Sequence, residues 1–554
     1  MLDDTNYWSS LWCRPVSRRQ VLRLASRTGM GLAGVALLGC AAPSAPATKA
    51  PPGPPAPAAT PTPPQPVYGG TLIQGTSNNM GLDPHIGILT GYDRIAQYLV
   101  YNSLIHDSKE SKLEPELATS WEIPDLTTFI FKLRPDPIKF HDGADFNAQA
   151  VKLTFDRVLE EGFKPTGARE LSQLLKSTQV VDDRTVKVTI KSPNPEFLGQ
   201  ALAKGEQAFI ISPLAPAKYK NDLRQFGVGT GPFVSKEWVL DDHITVEKFP
   251  GYWQKGLPYL DRVNWRIVLD PLVHQTMLKT GDIHFVLDIP VKDVAPLKAD
   301  PNIVVKIEPG VKRKTVDFNM VKEPFSKKAA RQALAYAVDR KAMVDAIYQG
   351  VAPVADGIYP PSHWAYDPTV KGYPYDPQKA KEKLVEAGYP NGFEFKAVTA
   401  PVRPDEVQAC EILQSMLAKV GIKMDFQVVE NARKMDIWYN DTKEFDAIVT
   451  EAGDSTQPIT LIKNYYTRLS GRSKHSDVPF PELEDLLAKA TNTYNIDEQR
   501  PFLQKADRLI TENVWSEWSY AYGVNIFAYR KNVMNYEHGA HPYAARFRKV
   551  WLSK

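Results

Sequence analysis

Cysteine is scarce in this chain of 554 residues, and that scarcity excludes several classes of protein. The three cysteines are Cys13, Cys40 and Cys410, and no C-x-x-C pair occurs. Zinc ribbons and thioredoxin-like redox sites are therefore unsupported. A disulfide framework is excluded as well, because Cys13 lies in a segment with the features of an export signal, described below. Removal of that segment leaves only two cysteines.

A surplus of one charge is also lacking. The formal net charge is +3, with five Arg and two Asp within residues 1–39 and 62 basic and 62 acidic residues in the remainder. A neutral body argues against an electrostatic nucleic-acid partner. The length suggests roughly three domains. A hydrophobic content of 43% is typical of a globular protein with large cores.

Recognisable catalytic motifs are absent. Neither G-x-S-x-G nor H-E-x-x-H occurs. The glycines Gly227, Gly229 and Gly231 precede a proline and a predicted strand, whereas a phosphate loop runs into a helix or carries Lys-Ser/Thr. We interpret them as a sharp re-entry of the chain into a sheet. His538 and His541 suggest either a metal site or, in our preferred interpretation, a polar loop. We expect no catalytic residue, no metal and no cofactor.

No N-terminal apolar run is long enough to span a bilayer, which takes about 20 residues. The apolar run Gly29–Gly39 follows the arginine pair Arg18-Arg19 and ends directly before Cys40. This order resembles a bacterial lipoprotein signal, exported by the twin-arginine or the general route. The resemblance implies that residues 1–39 are removed and that Cys40 carries the lipid anchor. The alternative is a disordered tail with an incidental cysteine.

Proline is concentrated after that cysteine. Residues 41–66 contain 11 prolines among Ala, Thr and Ser. Such a segment cannot bury a core and is extended, at about 3.1 Å per residue. We therefore interpret residues 40–67 as a tether between the membrane and a folded body.

From residue 68 onward, predicted strands and helices alternate, which indicates an α/β fold. Asp270-Pro271 has the pattern of a helix start, and Ser326 and Asp339 are predicted N-caps of two further helices. The last predicted strand, Gly523–Tyr529, would have to return to an earlier sheet.

Several blocks of this body resemble one family, the extracytoplasmic solute-binding proteins of ABC importers of the peptide/nickel type, family 5. They keep the family order and cover almost all of residues 68–535. The blocks are Gly69-Gly70-Thr71-Leu72, Leu82-Asp83-Pro84-His85, Pro115–Glu122, Phe131–Arg134, Phe140–Gly143, Gly229–Phe233, Tyr252-Trp253, Pro258–Asp261, Phe318–Met320, Arg331–Arg340 and Lys383–Tyr389.

The resemblance implies a periplasmic-binding-protein-like α/β fold of two lobes with a hinge, and an additional domain inserted in the first lobe. Lobe one would comprise residues 68–104, 228–311 and 526–554. The inserted domain would be 105–227 and lobe two 312–525. Closure of the lobes around a ligand would then be a hinge motion.

The resemblance also implies ligand-binding residues. In peptide-binding members an Asp pairs with the ligand's α-ammonium, and the matching position here is Asp454. Many members have Trp where Glu451 stands and Asp where Gln457 stands, so a cationic or polyhydroxylated ligand stays open. Arg403 lies near where dipeptide binders hold a carboxylate. The alternatives without a ligand-binding role are that Asp454 is a turn residue and that Arg403 is a solvated loop residue.

Tyr92 and Trp364 are candidate aromatic walls, or else core residues. The expected function is capture of oligopeptides or a similar solute for an ABC permease, by a monomer tethered to the membrane at its extracytoplasmic, periplasmic face. Two alternatives are the same fold binding an oligosaccharide or an opine-like solute, and a secreted hydrolase.

Overall fold

The structure is a computed structural model that describes residues 65–554, except 87–90, 109–111, 204–206, 441–443, 454–455, 468–477 and 539–544. Asp454, Cys40 and His541 therefore lie outside the described residues, as does the side chain of Tyr92.

The first part of the described chain, residues 65–227, builds a small antiparallel sheet of its own. Its elements are, in chain order, β1 Thr71–Thr76, α1 Gly91–Val100, β2 Ile105–Asp107, β3 Leu113–Pro115, β4 Ala118–Asp125, β5 Thr128–Leu133, α2 Ala148–Arg157, α3 Arg169–Leu174, β6 Leu175–Asp182, β7 Thr185–Ile190, a π-helix Leu198–Ala203 and α4 Ala215–Lys218. Strands β4–β5–β7–β6 form the sheet. Its inner face packs on a cluster that includes Phe129, Phe155 and Phe197, all fully buried.

The remainder alternates strands and helices before closing on short strands. In chain order it comprises β8 Phe233–Val239, β9 His243–Lys248, β10 Arg262–Ile267, α5 Pro271–Thr280, β11 Phe285–Val286, α6 Val291–Lys298, β12 Ile303–Phe318, α7 Lys328–Ala337, α8 Arg340–Tyr348, α9 Pro377–Glu386, β13 Glu394–Thr399, α10 Pro404–Ala418, β14 Lys423–Val428, α11 Asn431–Asn440, β15 Ala447–Ala452, α12 Pro458–Tyr466, α13 Pro481–Thr491, α14 Ile496–Asn513, β16 Glu517–Arg530, β17 Val533–Met534, β18 Glu537–His538, β19 Ala545–Arg546 and β20 Trp551–Leu552.

One mixed sheet of ten strands runs through the described chain in the order β14-β13-β15-β12-β16-β11-β1-β10-β9-β8. The long antiparallel strands β12 and β16 join its two halves. Their register shifts between Pro309 and Arg313. At this point a Cβ on Gly310 would lie 2.7 Å from the carbonyl oxygen of Gly523, so the two backbones approach too closely for a side chain.

The two halves of the sheet bury separate apolar clusters. One cluster, around Phe318, Leu413 and Ala447, lies at the β12–β15 half. Another, around Leu72, Trp265 and Phe527, lies at the half that contains β1 and β10. At about 25 cal/mol per Å² of apolar surface, each cluster contributes favourable burial of its own.

The re-entry at Gly229 and Gly231 has a steric cause. A Cβ would lie 2.3 Å from the carbonyl oxygen of Val100 at Gly229 and 2.4 Å from its carbonyl carbon at Gly231. Neither residue has a left-handed φ. The glycines thus permit close packing on the end of α1, and a strand follows them, as predicted.

The predicted helix starts are mostly confirmed. The Asp270 side chain accepts a hydrogen bond from the Leu272 amide at 2.8 Å, and Asp339 caps the Ala342 amide at 3.0 Å. The Ser326 cap is wrong, because α7 begins after Lys327 without a side-chain cap. The last long strand is longer than predicted, since its first half, from Glu517, also pairs with β12.

Candidate functional site

Charged side chains gather where parallel strands β13 and β15 end, beside the antiparallel strand β12. Arg403 follows β13, and Glu451 is near the end of β15. Lys314 of β12 is directly opposite Glu451 in the strand register. Open α/β sheets bind ligands outside the carboxyl ends of their strands, so this edge is the natural place to look.

Glu451 is the centre of this group. Its carboxylate lies 3.0 Å from the Nζ atoms of both Lys312 and Lys314 and 3.0 Å from Nη2 of Arg403. Burial alone would raise the pKa of Glu451, but Lys314, Lys312 and Arg403 outweigh it and hold the pKa well below its usual range. The carboxylate is ionised at neutral pH and already has three cationic partners. This arrangement does not favour the cationic ligand that Glu451 suggested in the sequence.

A second layer of charge lies behind it. Asp405 accepts from the Tyr348 hydroxyl at 2.8 Å and pairs with Lys314 at 2.6 Å. The buried Glu406 pairs with Lys434 at 2.8 Å. Burial raises the pKa of Glu406, and the charge of Lys434 opposes that shift only in part. Each carboxylate that supports the site is therefore held by a neighbouring cation.

The charge that faces solvent is mainly positive. The side chains of Arg403 and Lys312 are 38% and 35% exposed, whereas those of Glu451 and Lys314 are 11% and 8% exposed. Four cations face three carboxylates in the whole cluster, which comprises Lys312, Lys314, Arg403, Lys434, Asp405, Glu406 and Glu451. A partly exposed guanidinium beside a partly exposed ammonium is suited to binding a carboxylate.

A buried ion pair lies beneath this edge. Arg313 is fully buried, and its Nη2 lies 2.9 Å from Glu517 Oε1 and 3.2 Å from the Tyr466 hydroxyl. The same guanidinium packs against Gly453, where a Cβ would lie 2.9 Å from Nη2 and 2.4 Å from a methyl of Leu461. Gly453 also has a left-handed φ of 53°. Arg313 therefore supports the backbone at the end of β15.

The structure brings together two of the residues predicted as ligand-binding, Arg403 and Glu451, as an ion pair. Arg403 is thus more than a solvated loop residue. Trp364 lies elsewhere, in the apolar cluster of α12 to α14, stacked on His363 at 5.4 Å. Sequence reasoning missed Lys312 and Lys314, although two lysines separated by one residue at the start of a buried strand segment were a visible signal.

Of the two histidines considered as metal ligands, His541 lies outside the described residues and His538 packs among aromatic rings. His538 accepts or donates a hydrogen bond with the Tyr536 hydroxyl at 2.8 Å and stacks on Phe527 at 4.8 Å. Across the described ranges, no group of three His, Cys, Asp or Glu residues is placed to hold a metal ion. Among the residues with described coordinates, no helix has the length and apolarity needed to cross a membrane.

A mixed α/β fold in two lobes is the fold of the periplasmic solute-binding proteins that serve ABC importers. Residues 112–471 match the family described as bacterial extracellular solute-binding proteins, family 5. The chain belongs to this family, whose members are extracytoplasmic.

Three similar proteins illustrate the relationship. The glutathione-binding protein GsiB of Escherichia coli K12 is 34% identical over 79% of this chain and 86% of its own. The periplasmic binding protein DppA of Helicobacter pylori, solved with the peptide STSA, is 27% identical with a TM-score of 0.74, over 88% of this chain and 99% of its own. AgaA of A. tumefacien R10, solved with agropinic acid, is 28% identical with a TM-score of 0.73, over 88% and 99%. These relatives are described as binding proteins, not enzymes.

Proposed function

We propose that this protein captures a short peptide with free carboxylates, of the glutathione class, by closing its lobes, and delivers it unaltered to an ABC permease. The observation that carries the proposal is the pair of partly exposed cations, Arg403 and Lys312, that Glu451 holds at the strand ends. The glutathione-binding and peptide-binding relatives support the ligand class.

The chemistry of the pair explains the preference. Glu451 holds the Arg403 guanidinium through Nη1 at 3.2 Å and Nη2 at 3.0 Å. The remaining N–H groups of this guanidinium, together with the ammonium of Lys312, can donate to a ligand carboxylate. Glu451 keeps both side chains in place without neutralising the whole cluster. A ligand carboxylate would complete the local charge balance, and its burial on closure would strengthen each bond.

The amino end of the ligand needs an opposite charge. The prediction from the sequence stays that Asp454 pairs with the ligand's ammonium and that Tyr92 forms an aromatic wall. Trp364, the other predicted wall, packs against the apolar cluster of α12 to α14. With the carboxylate of Asp454 at one end of the bound ligand and the guanidinium of Arg403 at the other, the site would select zwitterionic peptides over neutral sugars.

We divide the chain as the family resemblance implies, with lobe one at 68–104, 228–311 and 526–554, the inserted domain at 105–227 and lobe two at 312–525. The separate apolar clusters support this division. The close approach of Gly310 and Gly523 within β12 and β16 supports a hinge near the boundary at residue 311.

The N-terminal features complete the proposal. Residues 1–39 act as the export signal, Cys40 carries the lipid anchor, and residues 40–67 form the tether. The protein then works as a monomer on the extracytoplasmic face of the membrane, where it meets its permease.

Isothermal titration calorimetry tests the ligand. We expect reduced glutathione to bind, and Arg403→Gln to weaken it at least tenfold, because a hydrogen bond to a charged group is worth about 1.5–3 kcal/mol. The matched control is Arg169→Gln, which alters an exposed arginine of the small-sheet region. Glutathione binding that is unchanged in Arg403→Gln would contradict the assignment.

A panel of other solutes separates the alternatives. Agropinic acid tests the opine-like ligand that the AgaA relationship favours. Alanine peptides of two to five residues test a general peptide preference, and β-linked oligosaccharides test a sugar. Binding of sugars alone would overturn the carboxylate site.

A further inference from the structure

A second set of polar contacts, remote in sequence from the ligand site, joins the small-sheet region to the segment that contains α12. The Glu196 carboxylate accepts hydrogen bonds from the backbone amides of Ile459 and Thr460, both at 2.7 Å. Oε1 accepts from the Ile459 amide and Oε2 from the Thr460 amide. The Thr460 hydroxyl also lies 3.2 Å from the side-chain oxygen of Gln200 on the π-helix.

The geometry matches what the start of a helix requires. The first amides of a helix have no partner within it and carry a partial positive charge. Gln457, which precedes α12, makes no side-chain cap. Glu196 therefore supplies from another part of the chain the carboxylate that a local capping residue would normally provide.

Tyr494 makes a second contact to the same region. Its hydroxyl donates to the carbonyl oxygens of Leu126 at 2.9 Å and Asn194 at 3.1 Å. Its ring packs edge-on against Phe129 at 5.8 Å. Asn194 in turn accepts the Glu196 amide at 3.0 Å, so the two contacts are directly connected.

We propose that Glu196 and Tyr494 form a latch that holds lobe two against the inserted domain and so sets how slowly a bound ligand is released. This inference rests on the division into lobes proposed above. A latch acts by raising the fraction of protein that is closed. The apparent dissociation constant equals the intrinsic constant divided by the fraction of protein in the state that holds the ligand, so a larger closed fraction means tighter binding. Neither residue needs to touch the ligand.

The test combines a ligand-free and a ligand-dependent measurement on the full-length chain with Glu196→Gln. Gln keeps one acceptor but presents an NH₂ group to the second amide and loses the charge. We expect faster hydrogen exchange at Ile459 and Thr460 and, because opening separates both contacts, in the peptide that contains Tyr494. We expect glutathione to dissociate about tenfold faster in stopped flow, the effect of one charged cap.

One control and one further test variant accompany Glu196→Gln. Glu122→Gln changes an exposed glutamate of the same antiparallel sheet and should change neither exchange nor release. Tyr494→Phe removes only a hydroxyl and should shift hydrogen exchange and glutathione release in the same direction as Glu196→Gln. It therefore keeps the latch testable if Glu196→Gln folds poorly.

The outcomes are distinct. Faster exchange confined to Ile459 and Thr460, with unchanged release, would overturn the latch and leave a local helix cap. If wild-type protein does not bind glutathione, the proposed ligand is wrong, and the exchange of the Tyr494 peptide in Glu196→Gln still decides for or against the latch.

Discussion

Replacing Glu451 with Gln should make the free protein less stable while making it bind anionic ligands more tightly. The substitution leaves Lys312, Lys314 and Arg403 close together without their shared carboxylate. Breaking a fully buried ion pair costs about 3–5 kcal/mol. Because Lys312 and Arg403 are more than a third exposed, water screens part of the repulsion, and we expect a loss of about 2 kcal/mol at pH 7.

The loss of stability in Glu451→Gln should depend on pH in a characteristic way. The folded-state pKa of Glu451 is depressed from 4.5, so its stabilisation is complete above that value and is lost as pH falls through the lower folded pKa. The stability difference between wild type and Glu451→Gln should therefore be full at pH 7 and shrink below about pH 4. Urea unfolding at both pH values measures it.

Calorimetry with glutathione supplies the second half of the prediction. One fewer negative charge at the site should tighten glutathione binding several-fold, and added salt should reduce the gain. Glu411→Gln, on the exposed face of α10, is the matched control and should leave both quantities unchanged. Weaker glutathione binding by Glu451→Gln would refute this electrostatic prediction, because the loss of a negative charge should favour a ligand carboxylate.

Two further predictions concern the support beneath the site. Gly453→Ala should lower the free energy of unfolding by about 1–3 kcal/mol, because its φ is left-handed and a Cβ would collide with Leu461; an unchanged urea midpoint would contradict this. Arg313→Met should cost about 3–5 kcal/mol by leaving Glu517 buried without its partner, and the added change Glu517→Leu should recover most of it; no recovery would show that packing, not charge, dominates.

Local patterns were enough to predict the class of fold and many element boundaries. Helix caps such as Asp270 and Asp339 act within one turn, so the residues around them determine them. The family blocks predicted a solute-binding protein, which the comparisons confirm. Asp454 stays a prediction of the sequence, outside the described residues.

Contacts between distant segments could not be predicted in the same way. Lys312 and Glu451 are 139 residues apart, and Glu196 and Ile459 are 263 apart. Ser326 failed as a cap because α7 begins one residue later than its position requires, after Lys327.

The sequence by itself determined that the chain is an α/β solute-binding protein, because periodicity, caps and family blocks are local in the chain. Only the tertiary structure decided that Glu451 is neutralised by three cations and that Glu196 caps α12. Ion pairs and helix caps act over a few ångströms, and it is the fold that brings such distant residues within that range.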